Sequence, residues 1–162
     1  MIGGQCADIE AEGAEQVSME QLLFIHEHKT AALIQAAMMA GAILAGADRQ
    51  QVERMERCAY DIGVAFQIQD DLLNLVGSEE STKKDFRNDL TEGKRTLVVV
   101  HALQNSPDRD RLIEILSSKE KDPAVLAEAV AIMEASGSVD YARAYAENLT
   151  SIAKNRLIDM VE

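Results

Sequence analysis

The sequence predicts an all-α protein, an antiparallel helical bundle, and three observations carry that prediction. Ala, Leu, Ile and Met dominate a composition that is 47% hydrophobic, with two prolines and only 4% aromatic residues, a mix that favours helix. Apolar residues recur at helical spacing over long stretches, and capping signatures stand at their starts. No alternating strand pattern, internal repeat or long linker competes with them. At 162 residues the chain suits one domain with a core of ordinary size.

Taken in order, Ser18 with Gln21 three residues on forms a capping box, and Leu22, Leu23, Ile25, Leu33, Ile34, Met38 and Leu44 continue the apolar pattern, so a helix is predicted over 18–46. Within it, "AALIQAAMMAGAILAGA" at 31–47 carries no charge but falls short of the roughly 20 apolar residues of a membrane span. Its Ala and Gly content suits close packing inside a protein, and no integral membrane segment is expected. Asp48 with Gln51 repeats the capping signature, and Val52, Met55, Ala59, Ile62, Phe66 and Leu73 predict a second helix over 49–76, ending near Gly77. Residues 78–92 are polar, charged and without period, which predicts a loop, with the next helix beginning near Gly93. Ser106-Pro107 and Asp122-Pro123 each place a cap before a proline, and "SGS" at 136–138 stops one helix and caps the next. Helices over 107–117, 123–135 and 139–160 follow.

The formal charge of −12 argues against a general nucleic-acid or anionic-membrane surface, since either needs a basic face to neutralise phosphate. An anionic ligand would need a local cationic site or a bridging metal. Cys6 and Cys58 form no framework and no CxxC pair, so reduced thiols and a cytoplasmic location are expected. The opening "MIGGQCADIE" lacks the basic and long apolar regions of a signal peptide.

The chemistry concentrates in "FQIQDDLLNL" at 66–75. Asp70 and Asn74, four residues apart, share a helix face with Asp71 flanking them and Gln67 one turn earlier. Adjacent carboxylates repel unless something positive sits near them. Oxygen-only ligands on a rigid helix suit Mg2+, which takes one or two carboxylates and completes its shell with water and phosphate; the face holds no His or Cys to suit zinc. Alone, such a pair is more often a solvated helix end. Its company raises the metal reading: Lys84, Asp89 and Lys94 follow, and Lys29-Thr30 lies in the preceding helix. Lysines beside a metal–carboxylate group are what a diphosphate requires, because metal and ammonium can share its charge. Lys83 and Arg87 read as solvated. His26 and His28, two apart, do not face each other, which argues against paired ligation, and His101 reads as packed or exposed.

"GGQCADIEAEG" at 3–13, "IHEHKTAALI" at 25–34, "FQIQDDLLNL" at 66–75 and "KDFRNDLTEGKRTL" at 84–97 are similar, in this order, to successive motifs of the trans-isoprenyl diphosphate synthases, the polyprenyl synthetases that include farnesyl and geranylgeranyl diphosphate synthases. "MEASGSVDYAR" at 133–143 resembles their C-terminal region, so the likeness covers essentially the whole chain. The resemblance implies a helical bundle of the isoprenoid (terpenoid) synthase type, present in part. It implies Mg2+ and an allylic diphosphate at Asp70, Asp71 and Asn74, with Asp89 supporting the metal and its waters. Lys29, Lys84 and Lys94 would contact diphosphate oxygens, and Thr30 and Gln67 would lie beside the reacting allylic carbon. The implied reaction ionises the allylic diphosphate, joins it to isopentenyl diphosphate and releases a proton, with no covalent nucleophile. A homodimer, or a self-associating chain, is expected.

Two departures accompany the resemblance. The family's second aspartate-rich motif is commonly DDxxD, but Asn74 takes the last place here, offering an oxygen without a charge. That form leans toward eukaryotic-type geranylgeranyl synthases, whereas "GGQCADIEAEG" is closer to bacterial short-chain enzymes, so both product lengths stand. The first aspartate-rich motif and the basic residues that hold isopentenyl diphosphate are absent from 1–162, which reads as the C-terminal portion of a polyprenyl synthetase domain, inactive on its own. A non-catalytic subunit pairing with an active partner is the alternative. A terpene cyclase fits less well, because its metal motifs differ.

Overall fold

The computed structural model describes residues 2–11, 14, 17–76, 88–118 and 122–161. Every regular element among them is helical: α1 (Ile2–Ala11), α2 (Met19–His26), a π-helical turn (Glu27–Ala31), α3 (Ala32–Leu44), α4 (Arg49–Val76), α5 (Asn88–Glu92), α6 (Leu97–Asn105), α7 (Arg109–Ser117), α8 (Pro123–Ala135) and α9 (Ser138–Val161). The long α4 is the axis of the bundle. It packs chiefly against α9 and α3, while α6 packs on α9, and α7 and α8 pack on each other and on α6. The core is aliphatic, built from Leu22, Val64, Ile68 and Leu72 against Leu97, Val98, Val99 and Val100, with Leu112, Met133 and Ala142 sealing it.

The caps at 18 and 48 form as expected. Ser18 Oγ accepts the Gln21 N–H at 3.1 Å while Gln21 Oε1 accepts the Ser18 N–H at 2.9 Å, and Asp48 with Gln51 repeats the exchange at 2.9 Å each way. These reciprocal bonds satisfy donors that a helix start otherwise leaves open. Asp122 Oδ1 likewise accepts from Ala124 and Val125 at 2.8 and 2.9 Å ahead of Pro123.

Five boundaries differ from the sequence expectation. The opening helix α1 was not foreseen. The helix expected over 18–46 is interrupted by the π turn, where the Ala32 N–H donates to the Glu27 carbonyl five residues back. Residues 88–92, expected as loop, form α5: Asn74 Oδ1 accepts the Asp89 N–H at 3.2 Å, Asn88 donates to Glu92 at 2.9 Å, and Leu90 is buried. Residues 77–87 lie outside the described residues. The next helix starts at Leu97, capped by Thr96, because Gly93 at φ 76° first ends α5. Ser106 closes α6 through its N–H to Ala102, so Pro107 sits in the turn and α7 begins at Arg109.

Core packing was also the expectation for most of the Ala- and Met-rich stretch, and that needs correction. No residue of α3 is buried, and Leu33, Ile43 and Leu44 are exposed. Only Ala31, at the end of the π turn, is fully enclosed. The reason is topological: α3 leans on α4 along one side, and no other described helix covers its remaining surface.

Candidate functional site

Two glycines explain how the π turn is placed. A Cβ on Gly4 of α1 would run into the backbone of His28 and Lys29, and one on Gly63 of α4 would stand 2.5 Å from Ala31 Cα and Cβ. The widened turn is therefore clamped backbone-to-backbone between α1 and α4, an approach only glycine allows. Its two polar neighbours then reach different helices. Lys29 Nζ pairs with Asp8 of α1, and Thr30 Oγ1 donates to Gln67 Oε1 of α4 at 2.9 Å.

From Gln67 the bonds continue inward. Gln67 Nε2 donates to Asp71 Oδ1 at 3.1 Å, one turn along α4. Lys94, in the segment between α5 and α6, donates to the same oxygen at 2.7 Å and to Asp89 Oδ2 at 3.2 Å. Thr30, Gln67, Asp71, Lys94 and Asp89 thus form one continuous polar chain at the C-terminal end of α4. Asn74 completes the frame by capping α5, which fixes Asp89 beside Lys94.

Burial gives these contacts their strength. Asp71 is 3% exposed and burial pushes its carboxyl up to about 6, in spite of the opposing pull of Lys94. Burial also works against the Lys94 ammonium, yet Asp71 and Asp89 outweigh it and hold its pKa above the usual lysine range. At neutral pH the pair is therefore ionised. His26 Nε2 approaches Asp71 Oδ2 at 3.7 Å, but burial, aided by Lys94, brings the imidazole down to about 4 and leaves it neutral. Asp71 Oδ2 and His26 Nδ1 have no hydrogen-bond partner among the described residues. These are orphaned groups of a kind that mark places where something else binds or where strain is held.

The structure brings together Thr30, Gln67, Asp71, Asn74, Asp89 and Lys94, and sets Lys29 against Asp8. Asp70 lies half-exposed beside Asp71 on α4, and Lys84 lies outside the described residues. Two participants escaped the sequence reading. His26 stands four residues before Thr30, a spacing that puts it on the same helix face, and that signal was available. Asp8 reaches Lys29 only because α1 closes on the π turn at Gly4, which no local pattern announces. Among the described residues no three His, Cys, Asp or Glu side chains converge as a metal cage. The donor set present is carboxylate and carboxamide oxygen, suited to an ion that accepts one or two protein carboxylates and takes its other ligands from water or phosphate.

The sequence profile described as polyprenyl synthetase matches residues 1–133. The chain is 44% identical over 156 residues to a short chain isoprenyl diphosphate synthase of Methanothermobacter thermautotrophicus, covering 95% of this chain and 47% of that protein. It is 40% identical over 154 residues to a geranylfarnesyl diphosphate synthase of Natronomonas pharaonis, covering 95% and 44%. Among solved structures, a geranylgeranyl pyrophosphate synthase from Corynebacterium glutamicum, complexed with isoprenyl diphosphate and magnesium, superposes with a TM-score of 0.88 at 32% identity, over 99% of this chain and 46% of that one. The chain spans about half the length of the curated relatives it matches. With the fold, the ordered motifs and the profile in agreement, the chain belongs to the polyprenyl synthetase family.

Proposed function

We propose that this chain supplies the allylic-diphosphate half of a Mg2+-dependent prenyltransferase that condenses isopentenyl diphosphate with an allylic diphosphate to a short-chain product of farnesyl or geranylgeranyl type. The observation that carries this reading is the part-buried chain Thr30–Gln67–Asp71–Lys94–Asp89, which gathers two carboxylates, an ammonium and two neutral oxygen groups at one helix end. Asp70 and the open Oδ2 of Asp71 are the atoms we assign to Mg2+, whose contribution when bound is to neutralise the departing diphosphate.

The protein's own groups divide the remaining work. A lysine ammonium has three donors; Lys94 spends two on Asp71 and Asp89 and keeps one for a phosphate oxygen. Lys29, with one donor on Asp8, keeps two. Lys84 we assign to the same diphosphate. Thr30 and Gln67 present oxygens, not formal charge, next to the apolar helix α3, so they suit the allylic carbon where positive charge develops. The exposed apolar surface of α3, which starts one residue after the π turn that holds Thr30, supports its use as a wall for the hydrocarbon tail. Among the described residues no helix is long and apolar enough to cross a membrane, and we place the protein in the cytoplasm as a self-associating chain or homodimer.

The uncovered face of α3 favours one second reading: a non-catalytic subunit that completes an active partner. Prenyl-transfer assays of the protein in its native assembly separate the two. On the catalytic reading Lys29→Ala and Asp70→Ala abolish product; on the second reading the partner supplies the chemistry and both variants form product at the unmodified rate.

A further inference from the structure

The chain is strongly acidic, yet one cleft is lined mainly by arginine. Arg54 and Arg57, one turn apart on α4, and Arg156 from α9 line a space of about 360 Å³, with Asp159 as the fourth side chain. Arg156 forms an ion pair with the protein interior: its Nε lies 3.3 Å from Oδ2 of Asp61, a buried carboxylate of α4, without a hydrogen bond between them. The terminal nitrogens of its guanidinium have no hydrogen-bond partner among the described residues and keep their donors.

Arg54 and Arg57 form no ion pair with a described carboxylate, although Glu53 and Glu56 adjoin them in sequence and the chain holds 28 acidic residues against 16 basic ones. Glu53 instead turns to Arg49, at 2.9 Å. Like charges one turn apart on a helix repel. Three arginines lining one space with a single aspartate, Asp159, and with Asp61 paired to Arg156, leave an excess of positive charge there.

The cleft is separate from the site described above. Arg57 precedes Asp70 by 13 residues on α4, which is about 20 Å along the helix axis.

We propose that the Arg54–Arg57–Arg156 cleft binds a phosphoryl anion, free phosphate or diphosphate in solution or the phosphate of a lipid headgroup. Guanidinium forks match pairs of phosphate oxygens, and α4 and α9 together line a space large enough for a phosphate or diphosphate with part of its hydration shell. The inference does not rest on the prenyltransferase reading, because no residue is shared between the two sites.

The test uses the chain in EDTA, so that the Asp70–Asp71 end carries no bridging metal. Calorimetric titration with inorganic phosphate and diphosphate is expected to give saturable binding that weakens with added salt. The Arg54→Ala/Arg57→Ala variant, changed only at exposed side chains and checked for helicity by circular dichroism, is expected to bind about tenfold or more weakly. Arg143→Ala, an exposed arginine on α9 paired with Asp140, is expected to bind as the unmodified chain does. Co-sedimentation with phosphatidic acid vesicles but not phosphatidylcholine vesicles, lost in the double variant and without solution binding, assigns the headgroup as the source. Absence of saturation with every probe, or equal binding by the double variant and the unmodified chain, overturns the proposal.

Discussion

Lys94 Nζ stands 2.7 Å from Asp71 Oδ1, and both groups are withdrawn from solvent, the side chains being 14% and 2% exposed. Such a pair is expensive to break from one side, because the survivor is left as a buried, uncompensated charge. Lys94→Ala is therefore expected to lower unfolding free energy by about 3 kcal/mol or more. Replacing both partners, Asp71→Asn with Lys94→Met, removes the charges together and is expected to cost less than the sum of the single changes. Urea unfolding of the four chains checks this; strictly additive losses contradict the coupling.

His26 and Asp71 titrate in opposite senses. His26, held at about 4 against an ordinary 6.5, contributes stability that is full above pH 6.5 and lost as pH falls toward 4. Asp71, held at about 6 against 3.8, contributes stability that is full below pH 3.8 and lost as pH rises through 6. Between pH 4 and 6 the two offset each other. Relative to the unmodified chain, Asp71→Asn is expected to lose stability on acidification from pH 7 to pH 4, on the order of 3 kcal/mol, and His26→Gln to gain a similar amount. Denaturation midpoints measured in EDTA at both pH values decide; shifts of the same sign in both variants contradict the assignment.

Gly63 sits in mid-helix, where alanine ordinarily stabilises by about 1 kcal/mol. Here the added methyl would meet Ala31 at 2.5 Å, with the backbone of the π turn directly behind it. The clash should win, so Gly63→Ala is expected to destabilise by about 1–3 kcal/mol. It should also pull Thr30 away from Gln67, because Ala31 is the next residue. Thermal unfolding gives the sign, and a stabilised Gly63→Ala chain contradicts the clamp.

Much of this fold was legible in advance, for a physical reason: caps and helical periodicity are local. The bonds of Ser18 with Gln21 and of Asp48 with Gln51 need only three-residue spacing, and both are present as read. The ordered motifs "IHEHKTAALI" and "FQIQDDLLNL" likewise pointed to the elements that meet at Gln67. What stayed hidden depends on residues distant in sequence. The close seating of the π turn depends on glycines of α1 and α4, and α5 is held by an oxygen from Asn74. Asp8 meets Lys29 across 21 positions. Burial was misjudged along α3 for the complementary reason, since an apolar sequence does not say whether a second helix covers it.

In the proposed function the end of α4 holds a diphosphate through Mg2+, Asp70 and the lysines. The most direct test is calorimetric titration of the chain with an allylic diphosphate, with Mg2+ and with EDTA, for the unmodified protein and for Asp70→Ala. Mg2+ is expected to tighten binding by about tenfold or more in the unmodified chain and to have little effect in Asp70→Ala. Equal Mg2+-dependent affinity in the two chains would contradict it.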